Sequence, residues 1–265
     1  MRGPSSKTWR SLGRAATLTA AAWIALPPGS STARVDTIAL RGHVQRLHLY
    51  GDRTGDPVIV SSGDGGWIHL GPQVAEYLAS RGFFVVGFDV RGYLESFTSG
   101  ATTMRTDDEP EDYRALARWT IATTGRKPIL IGVSEGAGLS LLAATDPEMK
   151  RLTRGVIGLG LPDQNELGWR WRDATIYITH RRPDEPSFSA AAFAARLAPL
   201  PLAAIHSTRD EFVPLSEVTR IVEAAREPKR LWIIDAADHR FSDKVAELDD
   251  RLLEAISWID ANSPR

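Results

Sequence analysis

Short apolar runs punctuate this chain, each bounded by glycine, proline or charged residues. Leu47–Tyr50, Val58–Ser62, Phe83–Asp89, Pro128–Val133, Gly155–Gly160, Ala203–Ser207 and Leu231–Asp235 are rich in Val, Ile, Leu and Phe. Continuous rather than alternating hydrophobicity predicts strands covered on both faces. Between them, amphipathic or small-residue stretches predict helices over Gly71–Ser80, Glu111–Thr123, Glu135–Ala144, Ala190–Leu197, Leu215–Ala225 and Lys244–Ala261. In the last of these, Leu248, Leu252, Ala255, Ile256 and Ile259 fall on one face. Strands alternating with helices predict an α/β protein with a mostly parallel sheet and helices on both sides.

Two further strands are expected. One is Ala174–Thr179, and the other is Glu166–Trp171, where Leu167, Trp169 and Trp171 alternate. Gly92–Pro110, rich in Thr, Ser, Gly and Asp, reads as the longest loop and a candidate border of an active site.

The N-terminus has a different pattern. Arg2, Lys7, Arg10 and Arg14 precede an apolar run, Ala15–Leu26, which Pro27-Pro28-Gly29 terminates. Ser31-Thr32-Ala33 then offers small residues, so residues 1–33 read as a cleaved signal peptide and 34–265 as one domain. The run is short for a membrane span, which needs roughly 20 residues, and an uncleaved anchor is the alternative reading. In a bacterial host this places the mature protein in the periplasm or outside the cell.

Composition narrows the chemistry. The 265 residues include no cysteine, which removes disulfides, thiolate metal sites and a Cys nucleophile. A formal net charge of −1 provides no broad basic field, so nucleic acid is not an expected partner. No metal-ligand spacing and no phosphate-binding glycine motif is present, and no cofactor is expected. His43 and His48, on an early strand, read as structural.

The sharpest motif is Gly132-Val133-Ser134-Glu135-Gly136. The pattern alone is weak in a chain with 22 glycines. Here an apolar strand enters it and an Ala- and Leu-rich helix leaves it, the setting of a nucleophile elbow. Glycines two residues either side of the serine remove side chains that would collide in so tight a turn. The following helix N-terminus aims amide groups where an oxyanion forms, with Glu135 N–H the first donor. These features point to the α/β-hydrolase fold, in which acid and base follow the serine in chain order at later strand ends. Asp210 follows one such strand and His239 another. Their expected roles are to orient the imidazole and to take the Ser134 proton. Glu211 and Asp238 compete for the acid; His206, inside a strand, and His180, in a basic loop, sit less well than His239. The strand Val58–Ser62 runs into Gly63-Asp64-Gly65-Gly66-Trp67, where Asp64 or Gly65 is the second candidate oxyanion donor.

The segments SSGDGGW, GFDVRGY at 87–93 and the elbow together resemble the bacterial VirJ/AcvB virulence-protein family, over most of residues 45–260. That resemblance implies a periplasmic α/β-hydrolase, and AcvB-like members are associated with hydrolysis of aminoacylated phosphatidylglycerol. Family elbows usually carry aromatic neighbours and an Asp soon after the second glycine; this chain has Val133, Glu135, Ala137 and Gly138 instead.

The expected activity is hydrolysis of a small-molecule or lipid ester, with peripheral contact to a membrane surface if the substrate is a lipid. Glu135 and Asp64 are candidates to favour a cationic acyl group, or else to face solvent and cap helices. Trp169, Trp171 and Phe97 are candidates for an apolar wall, or else for core packing, and Arg170, Arg172, Arg181 and Arg182 for contacts to a phosphate headgroup, or else for ordinary surface charge. Amide cleavage would use the same machinery. A non-catalytic envelope binding or assembly factor is the competing class, and no obligate protein partner is inferable.

Overall fold

The computed structural model describes residues 33–171 and 185–264. The predicted strand Ala174–Thr179, His180 and the arginines 172, 181 and 182 lie outside the described residues, as do residues 1–32 of the expected signal segment. The strands are β1 (Arg34–Leu40), β2 (His43–Tyr50), β3 (Asp56–Ser61), β4 (Phe83–Phe88), β5 (Ile129–Val133), β6 (Val156–Leu159), β7 (Gln164–Glu166), β8 (Ser187–Ser189), β9 (Leu202–Ser207) and β10 (Lys229–Ile234). The helices are α1 (Leu70–Ser80), α2 (Val90–Ser96), α3 (Glu109–Thr124), α4 (Glu135–Ala144), α5 (Met149–Leu152), α6 (Ala190–Ala194), α7 (Leu215–Ala224) and α8 (Val245–Asn262).

Eight strands form one sheet in the order β1-β2-β4-β3-β5-β6-β9-β10. β1 and β2 form an antiparallel hairpin, and β2 pairs antiparallel with β4; from β4 onwards every pairing is parallel. β7 and β8 pair in a separate two-stranded ribbon. The continuous hydrophobicity of the central strands has a direct physical origin. Phe84, Val86 and Phe88 of β4 bury into one core with Tyr93, Tyr113 and Leu116. Val85 of the same strand points the other way, into a core with Val58, Val60, Ile131, Leu248 and Leu252. Side chains alternate across a strand, so a strand with helices on both faces has no position that tolerates water. Each such side chain contributes about 1.5–3 kcal/mol on burial.

Three expectations change. Arg34–Leu40 is a strand that hydrophobicity does not announce, because an edge strand keeps one face wet and Val35 is exposed. Residues 90–96, inside or bordering the predicted loop, are helical; the Asp89 carboxylate caps α2 by accepting from Gly92 N at 3.1 Å. Glu166–Trp171 is not a strand. β7 ends at Glu166, and the alternating aromatics diverge: Trp169 is 4% exposed and Trp171 is 72% exposed.

Candidate active site

The loops that follow β3, β5, β9 and β10 emerge at the same edge of the sheet, where the parallel strands have their carboxyl ends. β5 ends at Val133 and α4 begins at Glu135, so the chain turns from strand to helix on Ser134 alone. Ser134 has φ 50° and ψ −119°, a conformation that costs a non-glycine residue about 1–3 kcal/mol. It is held there from both sides. Its N–H donates to Leu159 O at 2.8 Å, and its carbonyl accepts from Ala137 N at 2.8 Å. A Cβ at Gly132 would stand 2.3 Å from Gly136 O, and one at Gly136 would stand 2.3 Å from Ser62 O. Both glycines are therefore required by backbone contact. Gly138 is required too, because the Asn165 side chain fills the space its Cβ would take.

His239 follows β10 and Asp210 follows β9. The imidazole Nδ1 lies 2.6 Å from Asp210 Oδ2. The other oxygen, Oδ1, accepts from Phe212 N at 2.9 Å and Val213 N at 2.8 Å. Burial opposes ionisation of Asp210, but the His239 hydrogen bond and charge, with the two amides, outweigh it and hold the carboxyl below its ordinary value. An ionised Asp210 at Nδ1 puts the imidazole proton on that nitrogen and leaves Nε2 as the basic atom. The ring fits because residue 160 is glycine: a Cβ there would stand 2.5 Å from His239 Cε1.

The competing acids have other occupations. Glu211 Oε2 accepts from the His239 backbone N–H at 2.8 Å, fixing the loop rather than the ring. Asp238 accepts from Arg240 N and Ser242 N within its own turn. His206 is fully buried, with Nε2 3.0 Å from Val213 O.

Ser134 and His239 line one cavity of about 420 Å³. Asp64, Gly65 and Glu135, the candidate oxyanion residues, line it as well. Gly66 N donates to Gly63 O at 3.0 Å, closing a turn whose two central residues are Asp64 and Gly65. Gly63 packs behind Ser134, with a Cβ there falling 3.4 Å from Ser134 Cβ. Trp67 anchors the turn: its indole fills the space over Gly87, stacks on His48 at 4.9 Å, and donates Nε1–H to Tyr50 Oη at 3.2 Å. The SSGDGGW and GFDVRGY segments are thus one packed unit. Gly87 is required by the Trp67 ring, 2.2 Å from where its Cβ would stand, and Gly66 by its φ of 88°.

Glu135 is 5% exposed, and its Oε1 has no hydrogen-bond partner among the described residues. Burial, then the neighbouring Glu166 and Asp64 charges, push its carboxyl well above the ordinary carboxylate range. It neither faces solvent nor carries an isolated negative charge; it belongs to a cluster with Asp64 and Glu166, and all three line the cavity. Glu166 escaped sequence reading because only tertiary packing brings it to the serine. Trp169 both packs in the core and lines the cavity, whereas Phe97 does not line it. Phe97 packs on Tyr93 at 5.4 Å and carries the Arg41 guanidinium at 3.9 Å. Arg170 is ion-paired with Glu185 and donates to Gly100 O, so it is committed within the fold. Among the described residues, no group of three or more His, Asp and Glu side chains could hold a metal ion. No described helix is long and apolar enough to cross a membrane.

The alpha/beta hydrolase fold family matches residues 56–201, more than half of the chain, and the protein belongs to that family. Among curated proteins it is similar to the uncharacterised protein YfhR of Escherichia coli K12, 24% identical over 191 residues, which is 71% of this chain. The YfhR protein of E. coli O157:H7 is 22% identical over 189 residues. The alignments span 64% of the length of these relatives. Among solved structures, Est1E from Butyrivibrio proteoclasticus superposes with a TM-score of 0.63 at 13% identity, covering 86% of this chain and 99% of its own. The esterase domain of a Rhodothermus marinus protein gives 0.57 at 20% identity, covering 83% and 96%. A serine hydrolase without a lid from Xanthomonas campestris gives 0.56 at 20%, covering 88% and 97%. At these identities the likeness is one of fold.

Proposed function

We propose that this chain is a serine hydrolase that cleaves a carboxylic ester through an acyl-enzyme. One observation carries the reading: an imidazole bonded through Nδ1 to a buried, ionised Asp210 shares a cavity with a serine held in strained elbow geometry. His239 Nε2 takes the proton as Ser134 Oγ attacks the ester carbonyl. The amides of Glu135 and of Asp64 or Gly65 receive the oxyanion. Collapse expels the alcohol, which receives the proton from His239, and water repeats the sequence to release the acid.

The finer reading is hydrolysis of the aminoacyl ester of an aminoacyl-phosphatidylglycerol in the periplasm. Its supports are the VirJ/AcvB-like motifs, the leader-like residues 1–33, and the carboxyls of Asp64, Glu135 and Glu166 beside the serine, which suit an acyl group bearing an ammonium. Ile68, which lines the cavity, is 52% exposed, and Trp171, stacked against Arg91 of its wall, is 72% exposed. Such side chains suit peripheral contact with a lipid surface. The test compares a neutral 4-nitrophenyl ester with lysyl-phosphatidylglycerol in vesicles. Wild-type protein is expected to hydrolyse both, and Asp210→Asn neither at more than about 10⁻³ of that rate. Glu135→Lys is expected to lose the lysyl lipid far more than the neutral ester. Equal losses would remove the cationic preference, and full activity of Asp210→Asn would remove the mechanism.

A further inference from the structure

Arg91 sits on the cavity wall and, among the described residues, forms no ion pair with a carboxylate. Its guanidinium carbon lies 4.0 Å over the Trp169 ring and 4.6 Å over the Trp171 ring. The two indoles meet edge to face at 5.3 Å and 72°, so they form a corner around the cation. Arg41, Arg114, Arg154 and Arg170, also partly buried, each hold an ion pair; Arg91 holds none among the described residues. Asp89, two residues before it, spends Oδ1 on capping α2. The cavity carboxyls of Asp64, Glu135 and Glu166 cluster with one another.

The guanidinium carbon lies over both indole rings, and indoles accept no hydrogen bond through a nitrogen lone pair, so the stacking leaves the five N–H donors of the planar group to other partners. The stem is positioned as firmly as the head. It runs past Gly66, where a Cβ would stand 3.5 Å from Arg91 Cδ, so the cation adjoins the turn that presents Asp64 and Gly65. Stacking on two indoles removes much of the rotamer freedom that an arginine ordinarily surrenders on binding. The result is a pre-ordered, cationic donor fork on the wall of a cavity that also contains Ser134.

We propose that Arg91, in the corner of Trp169 and Trp171, is the subsite for an anionic group of the substrate, a phosphodiester or carboxylate carried near the scissile ester. The proposal rests on the ester-hydrolase reading and adds to it the charge that the substrate bears. A planar fork favours bidentate contact with either oxyanion. Together with the acidic cluster at Glu135, it makes the cavity bipolar, so a substrate carrying both signs would be oriented end to end across the nucleophile.

The experiment uses the whole protein and three matched 4-nitrophenyl esters: neutral butyrate, the glutarate monoester with its free carboxylate, and an acyl chain ending in a methyl phosphodiester. The readout is the kcat/KM ratio of each anionic ester to the neutral one, for wild type, Arg91→Gln, Arg91→Lys and Trp171→Leu. Loss of one charge-assisted contact is expected to lower the ratio about ten- to a hundredfold in Arg91→Gln. Arg91→Lys is expected to recover part of it. Trp171→Leu, altered at an exposed ring, keeps the charge but loosens the corner and is expected to fall between wild type and Arg91→Gln. Whichever anionic ester shows the larger effect identifies the oxyanion. Ratios within twofold of wild type for both anions would overturn the proposal. If wild-type protein turned over none of the esters, the hydrolase reading would fail first, and calorimetric binding of phenyl phosphate and benzoate would then decide the subsite separately. Binding lost in Arg91→Gln upholds it; absent binding, or binding indifferent to Arg91→Gln, overturns it.

Discussion

Two helices start at the cavity from the same unusual backbone. Ser134 precedes α4 with φ 50° and ψ −119°; His69 precedes α1 with φ 55° and ψ −116°. Both residues line the cavity, and neither side chain caps its helix. Their surroundings differ. The residues flanking Ser134 are pressed on backbone, with 2.3 Å left for a Cβ at either glycine. The residues flanking His69 are Trp67 and Gly71, and a Cβ at Gly71 would meet only Ser62 Cβ and the Trp67 ring at 3.6 Å, ordinary contact. Strain is common to both turns. What writes G-x-S-x-G into a sequence is the crowding of α4 against the β3 carbonyls, and that crowding holds the half-buried Ser134 in a fixed orientation.

The largest contrast concerns chemistry. Ser134→Ala is expected to lower ester turnover about 10⁴-fold or more, since no other side chain supplies the nucleophile. His69→Ala is expected to lower it less than tenfold, because an exposed imidazole at the rim contributes contacts only; initial rates with a neutral ester would show this. A loss at His69 as deep as at Ser134 would make the two turns functionally equivalent and break the distinction.

Stability provides the next test. Gly136→Ala drives a methyl into the Ser62 carbonyl and is expected to cost about 3 kcal/mol in urea unfolding. Gly71→Ala, inside α1 with ordinary contact, is expected to change stability by no more than about 1 kcal/mol. Relief of strain is smaller. His69→Gly and Ser134→Gly are each expected to stabilise by about 1 kcal/mol, the released strain exceeding the added unfolded-state entropy. In Ser134→Gly that gain accompanies loss of activity. The smallest effect is on pH dependence. Because the Glu135 carboxyl titrates above its ordinary value of 4.5, the folded chain binds more protons than the unfolded chain over that interval. Its contribution to stability therefore falls as pH rises from 4.5 through the raised value. Glu135→Gln is expected to flatten this decline in thermal melts, leaving the share due to buried Glu109, which is shifted in the same direction.

The same contrast explains what could be read from the amino acids alone. Strands β3 to β6 and β9 announce themselves because both faces are buried, whereas β10, an edge strand with Arg230 and Ile233 exposed, is announced by its apolar run alone. The elbow does so because crowding demands glycine, and Asp210 and His239 because they follow strands in the order that the fold imposes. β1 stays hidden because one of its faces meets water, and α2 because it is only seven residues long, its buried Val90, Tyr93 and Leu94 too few to stand out beside the polar segment that follows. Glu166, Arg91 and the neutral tendency of Glu135 are consequences of residues distant in sequence arriving at one cavity. No spacing along the chain encodes them.

The claim that Ser134 is a nucleophile activated by His239 is tested most directly by a fluorophosphonate. Intact-mass and peptide analysis are expected to show one phosphonyl adduct per chain, on Ser134, absent in Ser134→Ala and slowed at least about a hundredfold in His239→Ala. Folded wild-type protein that stays unmodified, or that reacts at the same rate without His239, would contradict it.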